Sequence, residues 1–167
     1  WPRVAAAVSY LDALRQKRRT AEYESGEKRA FYGLLPESIS HEGYSAKPMH
    51  SYWDDFFGLR GLKDAVFLAT FLGKEEEARA WARIRDEFAA DVHASLRLVM
   101  ERKGIDWLPG CAELGDFDAT SSTAALAPGG ELARLPRAAV ERTFAKYLEN
   151  VAKREAGEGE IYTPYEL

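Results

Sequence analysis

Acidic side chains next to aromatic rings are the residues of this sequence best suited to chemistry. One group is Trp53-Asp54-Asp55, and a second runs from Glu113 to Asp118 as Glu-Leu-Gly-Asp-Phe-Asp. Indole and phenol rings stack on the flat faces of sugars, and carboxylates accept hydrogen bonds from sugar hydroxyls. Hydrolysis of a glycosidic bond needs two carboxyl groups that flank the bond, one of them held protonated by its surroundings. The two groups therefore indicate a carbohydrate site.

Some of these acids also fit a simpler structural role. Asp54 follows Ser51 by three residues, which is the pattern of a capping box at a helix N-terminus. Asp118 precedes a segment rich in Ala, Ser and Thr and is suited to be its N-cap. Asp116 and Glu113 match no such local pattern, so they are the stronger candidates for a chemical role.

Further polar and aromatic residues extend the candidate substrate-binding set, which comprises Tyr52, Trp53, Asp54, Asp55, Arg60, Trp107, His41 and Glu42. Arg60 can face the pocket or pair with Asp64 one helical turn away. The histidines and acids between residues 41 and 54 match no defined metal spacing, so we expect no metal ion and no cofactor. The sequence also lacks the motifs of serine hydrolases, nucleotide-binding loops and zinc peptidases.

The composition indicates one globular domain. The chain has 167 residues, of which 46% are hydrophobic and 30% charged, enough for a substantial core and unlike a disordered chain. A net charge of −4 gives no support for a nucleic-acid surface. The longest strongly apolar run, residues 65–73, is too short to span a bilayer. The lone Cys111 cannot form an internal disulfide, and this leaves the cellular compartment open.

Helices must position the candidate residues, because the sequence has helical periodicity and no strand signal. The second predicted helix is apolar on nearly every side, which predicts burial all round. The third has a single apolar stripe, and a short turn at Gly73-Lys74 joins the two. Layered and toroidal helical folds repeat such hairpins of an inner and an outer helix. The predicted helices cover residues 3–20, 51–73, 75–102, 119–127 and 136–154.

Three segments resemble the catalytic domain of six-hairpin glycosidases, an (α/α)6 toroid. They read GLLPESISHEGY, HSYWDDFFGLRGLKDA and LPGCAELGDFDATSSTAAL. Within that group they are most similar to trehalase-like, inverting glycoside hydrolases. Residues 52–56 are similar to the Tyr-Trp-Asp-(Ser/Thr)-Tyr-Trp segment of trehalases, which binds sugar. Residues 113–117 are similar to the loop that carries the general acid. The resemblance thus implies that Asp116 is the general acid, with Asp118 and Glu113 as alternatives.

The resemblance covers roughly residues 30–150 and implies that the single all-α domain of residues 1–167 is part of a larger toroid. The segment Thr163-Pro164-Tyr165-Glu166 has the pattern of a further helix start. We expect the general base, and the cover for exposed inner helices, to come from the remainder of the same polypeptide or from a second chain. Two alternatives remain: a non-catalytic carbohydrate-binding or scaffold module, and a glycoside phosphorylase or polysaccharide lyase on the same toroid.

Overall fold

A computed structural model describes residues 1–40 and 43–158, and this part of the chain is all-α, which confirms the predicted class. Short 3-10 helices at Ala21–Tyr23 and Glu27–Phe31 follow the first α-helix. His41, Glu42 and the helix start predicted at residues 163–166 lie outside the described residues. The α-helices are α1 (Pro2–Gln16), α2 (Tyr52–Phe71), α3 (Glu75–Lys103), α4 (Ala119–Leu126) and α5 (Arg137–Glu155).

Two irregular segments separate the helices and are named here for later use. The long loop connects Phe31 to Tyr52, and the acidic loop covers residues 104–118. Within the described residues, 1–40 and 43–158, extended pairing is limited to three isolated β-bridges, two of which involve the acidic loop. In the described part of the chain, no helix combines the length and hydropathy needed to cross a membrane.

Helix α2 is the central element, because it packs against α1, α3 and α4. Gly73 turns the chain between α2 and α3 with a φ of 66°, a conformation that glycine adopts without steric cost. Three acids then occupy the first turn of α3, and Arg102 and Lys103 its last turn, as the helix dipole favours. The predicted hairpin of α2 and α3 is therefore present.

The core lies between the facing stripes of α2 and α3. Buried residues of α2 recur at spacings of three and four, and those of α3 do the same, so each helix turns one stripe toward the other. From α2 they include Tyr52, Phe56, Leu59, Leu62, Ala65 and Ala69, and from α3 Trp81, Phe88, Val92, Leu96 and Val99.

The expectation that α2 is buried on every side is wrong for its C-terminal half. Phe67 is 66% exposed, Phe71 77% and Leu72 53%. Helices α1, α3 and α4 cover only part of the circumference of α2, so an apolar face remains in contact with solvent. Apolar patches of this kind mark surfaces that contact another element.

A buried cation fixes α1 against α3. The Arg15 side chain is fully buried and pairs with Asp12 at 2.8 Å and with Asp91 of α3 at 3.0 Å. The long loop passes directly over this pair, because a Cβ atom on Gly33 would lie 2.1 Å from Asp91 Oδ2. Only glycine permits this approach, and Gly33 also has a φ of 72°. The long loop is therefore held at its start by the packing of α1 on α3.

Candidate functional site

The long loop and the acidic loop meet at the N-terminal end of α2. The Tyr52 N–H donates to the carbonyl of Gly110 at 3.0 Å, and the Ala112 N–H donates to the carbonyl of His50, also at 3.0 Å. An isolated bridge pairs Ser51 with the acidic loop. The two acidic groups predicted from the sequence therefore lie at the same end of the molecule.

Asp116 is a half-buried carboxyl group whose two oxygens have different donors. Oδ2 accepts a hydrogen bond from the Tyr44 hydroxyl at 3.0 Å, and Oδ1 accepts one from the Cys111 N–H at 3.1 Å. The thiol of Cys111 is buried, and burial raises its pKa to about 12, so it remains protonated at neutral pH. Each Asp116 oxygen keeps a second lone pair that these two donors do not use.

Asp118 caps α4, as the sequence predicted. Its Oδ1 accepts from the Thr120 N–H at 3.0 Å, and its Oδ2 accepts from the Ser121 hydroxyl at 2.6 Å. Each oxygen thus satisfies a donor in the first turn of the helix, one of them a backbone N–H that has no partner within the helix. This geometry gives Asp118 a structural role and leaves Asp116 as the stronger of the two acids for a chemical role.

Glu113 is bound to His50, which is itself 2% exposed. The backbone N–H of His50 donates to both Glu113 oxygens, at 3.0 and 3.2 Å. Arg18 Nε donates to His50 Nε2 at 3.1 Å, so Nε2 acts as the acceptor and the ring proton resides on Nδ1. Nδ1 then donates to Glu113 Oε1 at 2.7 Å. Glu113 therefore ties the acidic loop to the end of the long loop.

The capping box predicted for Ser51 and Asp54 is wrong. Ser51 makes no side-chain capping bond to α2, and its hydroxyl instead forms a hydrogen bond with Ser40 Oγ at 2.9 Å. Asp54 accepts hydrogen bonds from Ser38 Oγ and, at 3.1 Å, from Ser40 Oγ. The long loop supplies these hydroxyl donors from outside the helix, so the Asp54 carboxylate holds the loop in place.

Asp55 and Tyr52 point into the core. Asp55 is 1% exposed, and its Oδ1 accepts from the Leu35 N–H at 2.9 Å. Burial raises the pKa of Asp55 well above its usual range, the hydrogen bond from Leu35 opposes this, and the charge of Asp54 adds to it. Tyr52 is fully buried, and its hydroxyl lies 2.7 Å from Ser95 Oγ of α3. These two members of the predicted substrate-binding set are therefore part of the packed interior.

The other members of that set that the structure describes, Trp53, Asp54, Arg60 and Trp107, have partly accessible side chains. Trp53 is half-buried, and its ring lies 4.3 Å, centroid to centroid, from the ring of Phe57. Trp107, on the acidic loop, is also half-buried. Arg60 pairs with Asp64 at 2.7 Å, as one of the two sequence interpretations had it. Lys146 Nζ lies 4.5 Å from the centroid of the Trp107 ring, and both indole rings keep part of their surface in contact with solvent.

Sequence reasoning did not identify the partners that hold the acids. Ser38, Ser40 and Tyr44 all come from the long loop, and they contact acids that lie 14 to 72 residues further along the chain. The available signal was indirect: a long segment with aromatic groups and little charge, which is typical of a functional loop. Partners so distant in sequence leave no fixed spacing by which to find them.

Within residues 1–40 and 43–158, no group of three His, Cys, Asp or Glu side chains is arranged to hold a metal ion. Comparison of the chain with models of protein families, with curated proteins and with solved structures found no match. The chemistry of the site therefore has to be argued from its own geometry.

Proposed function

We propose that this chain is part of the catalytic domain of an inverting glycoside hydrolase in which Asp116 is the general acid. The main support is the crowding of side chains around Gly110. A Cβ atom on Gly110 would lie 2.6 Å from Asp118 Cβ, 2.8 Å from Tyr44 Oη and 3.0 Å from Asp116 Oδ2. The same glycine accepts the hydrogen bond that begins α2, next to Trp53. A partly accessible carboxyl group and an indole ring are thus carried by two directly joined segments.

In the proposed reaction, Asp116 donates its proton to the glycosidic oxygen as the bond to the anomeric carbon breaks. A water molecule attacks that carbon from the opposite face and loses its proton to a general base outside this chain, which inverts the anomeric configuration. Such a base has to lie about 6.5–9.5 Å from the acid to leave room for the water. Trp53 stacks on the sugar at the cleavage subsite.

The toroid and its completion are part of the same proposal. The hairpin of α2 and α3 provides one inner and one outer helix. The exposed face of α2 is then the surface that the remainder of the polypeptide, or a second chain, covers. A groove of about 420 Å³ between α1 and α2 continues this face, and its lining is almost wholly apolar, including Val4, Leu11, Leu14, Gly58 and Leu68. Burial of such a surface favours association with a further apolar helix.

The test uses the intact gene product with Asp116→Asn, a panel of α- and β-linked 4-nitrophenyl glycosides and the matching 2,4-dinitrophenyl glycosides. We expect Asp116→Asn to lower kcat for the 4-nitrophenyl substrate by about 100-fold or more, because general acid catalysis contributes on that order. The kcat of Asp116→Asn on the 2,4-dinitrophenyl substrate should fall far less, because that leaving group departs without protonation.

Asp106→Asn is the matched control, because Asp106 lies on the same loop with its side chain 71% exposed. Full activity of Asp116→Asn on the 4-nitrophenyl substrate would remove Asp116 from the mechanism. The anomeric configuration of the first product, read by proton NMR, separates inversion from retention.

A non-catalytic carbohydrate-binding module is the second candidate. Asp54, Glu113 and Asp118 already accept hydrogen bonds from the chain. These carboxylates stabilise loops and bind hydroxyl groups, which favours a binding role over a catalytic one. On this hypothesis the intact protein binds an oligosaccharide in calorimetry and hydrolyses no glycoside of the panel. Asp116→Asn then weakens binding instead of turnover.

A further inference from the structure

The Tyr44 hydroxyl donates directly to the carboxyl group that the proposed mechanism requires. From this geometry we propose that Tyr44 is a positioning residue for Asp116, an inference that rests on the function proposed above. Tyr44 Oη lies 3.0 Å from Asp116 Oδ2, while the Cys111 N–H binds the other oxygen at 3.1 Å. The carboxyl group is thereby held at both ends, and rotation about its Cβ–Cγ bond would break both hydrogen bonds.

The Tyr44 ring is itself held in place by packing. Tyr44 is 8% exposed and packs with Met49 and Cys111 in a small cluster separate from the main core. Gly110 closes this cluster on its other side, because any side chain there would collide with Tyr44 Oη and with Asp116 Oδ2. The phenol therefore has little freedom to turn away from the carboxyl group.

The hydroxyl group is also a permanent donor. Burial raises the pKa of Tyr44 far above its usual value, and the neighbouring Cys111 and Asp116 raise it further. The phenol therefore keeps its proton at neutral pH. Tyr44 is consequently able to donate to Asp116 at neutral pH.

This arrangement has a defined chemical consequence. The Tyr44 hydroxyl and the Cys111 N–H each use one lone pair of the carboxyl group, and the Cys111 thiol also hydrogen-bonds to it, so the transferable proton is confined to a remaining lone-pair position. That position is set by the plane of the carboxyl group, which Tyr44 fixes. Misplacement of a catalytic group by about 1 Å can cost on the order of 100-fold in rate. Tyr44 should therefore affect the chemical step, kcat, more than substrate binding.

The test is Tyr44→Phe in the intact polypeptide, which removes the hydroxyl and keeps the ring in its cluster. For the sugar that the wild-type protein hydrolyses best, we expect kcat on the 4-nitrophenyl glycoside to fall by about tenfold or more, with KM within about twofold. On the 2,4-dinitrophenyl glycoside, which needs no general acid, the loss should nearly disappear. The double variant Tyr44→Phe/Asp116→Asn should lose no more activity in total than Asp116→Asn alone, because Tyr44 acts through that carboxyl group.

Tyr32→Phe is the matched control. Tyr32 is half-buried and its hydroxyl bonds to Arg19, away from the acidic loop, so this variant should leave the ratio between the two leaving groups unchanged. Equal losses of Tyr44→Phe on both leaving groups, or additive losses in the double variant, would overturn the positioning role and leave the proposed function intact. A wild-type protein that hydrolyses no glycoside of the panel would refute the proposed function, and the role of Tyr44 with it.

Discussion

Asp55 should make this protein less stable as the pH rises, and Asp55→Asn should remove that dependence. The carboxyl group is 1% exposed and accepts one hydrogen bond, from the Leu35 N–H, while Oδ2 has no hydrogen-bond partner among the described residues. Burial raises the pKa of Asp55 well above its usual range, against the opposing effect of Leu35. The folded protein therefore keeps the proton at pH values at which the unfolded chain releases it.

The magnitude follows from proton linkage. Between the unfolded pKa, about 3.9, and the higher folded pKa, the folded state binds one more proton than the unfolded state. The free energy of unfolding of the wild-type protein therefore falls by about 1.4 kcal/mol per pH unit because of this one group. Asparagine does not ionise, and its amide oxygen can still accept from Leu35. Its NH2 group adds a constant cost of about 1–3 kcal/mol, which shifts the curve without changing its slope.

The assay is urea unfolding of residues 1–167 at pH 4.5, 5.5 and 6.5, followed by circular dichroism at 222 nm. The unfolding free energy of Asp55→Asn minus that of the wild type should rise with pH at up to about 1.4 kcal/mol per unit. Asp64→Asn is the control, because Asp64 is on the same helix with its side chain 49% exposed. A difference between Asp55→Asn and the wild type that stays constant across this range would refute the reasoning.

Other substitutions probe the packing around the site and the exposed face. Glu131→Gln should cost about 3 kcal/mol of unfolding free energy in urea, because this wholly buried carboxylate pairs with Lys63 and with a histidine of α3. Burial raises the pKa of Glu131, but its hydrogen bonds to that histidine and Lys63 outweigh burial and lower it. The cost should therefore shrink as the pH falls through the folded pKa, and a cost that grows would contradict this. Gly110→Ala should cost about 1–3 kcal/mol by overpacking, because its Cβ would lie 2.6 Å from that of the α4 cap. Gly61→Ala, which lies inside α2 and meets nothing within 4 Å, should instead stabilise the protein by about 0.5–1 kcal/mol in the same urea unfolding assay. Phe71→Ser should change the stability of residues 1–167 by less than about 0.5 kcal/mol, because Phe71 is 77% exposed. In the intact polypeptide it should cost about 1.5–3 kcal/mol if the toroid covers that ring, and equal effects in both would argue against such a cover.

The helices could be predicted from the sequence because their signals are local. The stripe of α3 and the pattern of α5 have helical spacing, and the turn at Gly73 is marked by glycine, which adopts its φ of 66° without steric cost. Asp118 was identified as the cap of α4 because a cap bonds to an N–H only two residues away. Such features depend on neighbouring residues, so a single sequence is enough to reveal them.

The environment of each acid was decided only by the tertiary structure. Asp54 and Asp55 are adjacent and chemically identical in the sequence, yet one binds serines of the long loop and the other enters the core. Successive residues point about 100° apart around a helix, and the elements that pack beside α2 determine which direction is buried. Tyr44 and Asp116 are 72 residues apart in the sequence and meet because the long loop packs against the acidic loop. Backbone hydrogen bonding and periodicity determine local structure, whereas partners joined by the closure of long loops leave no spacing in the sequence to identify them.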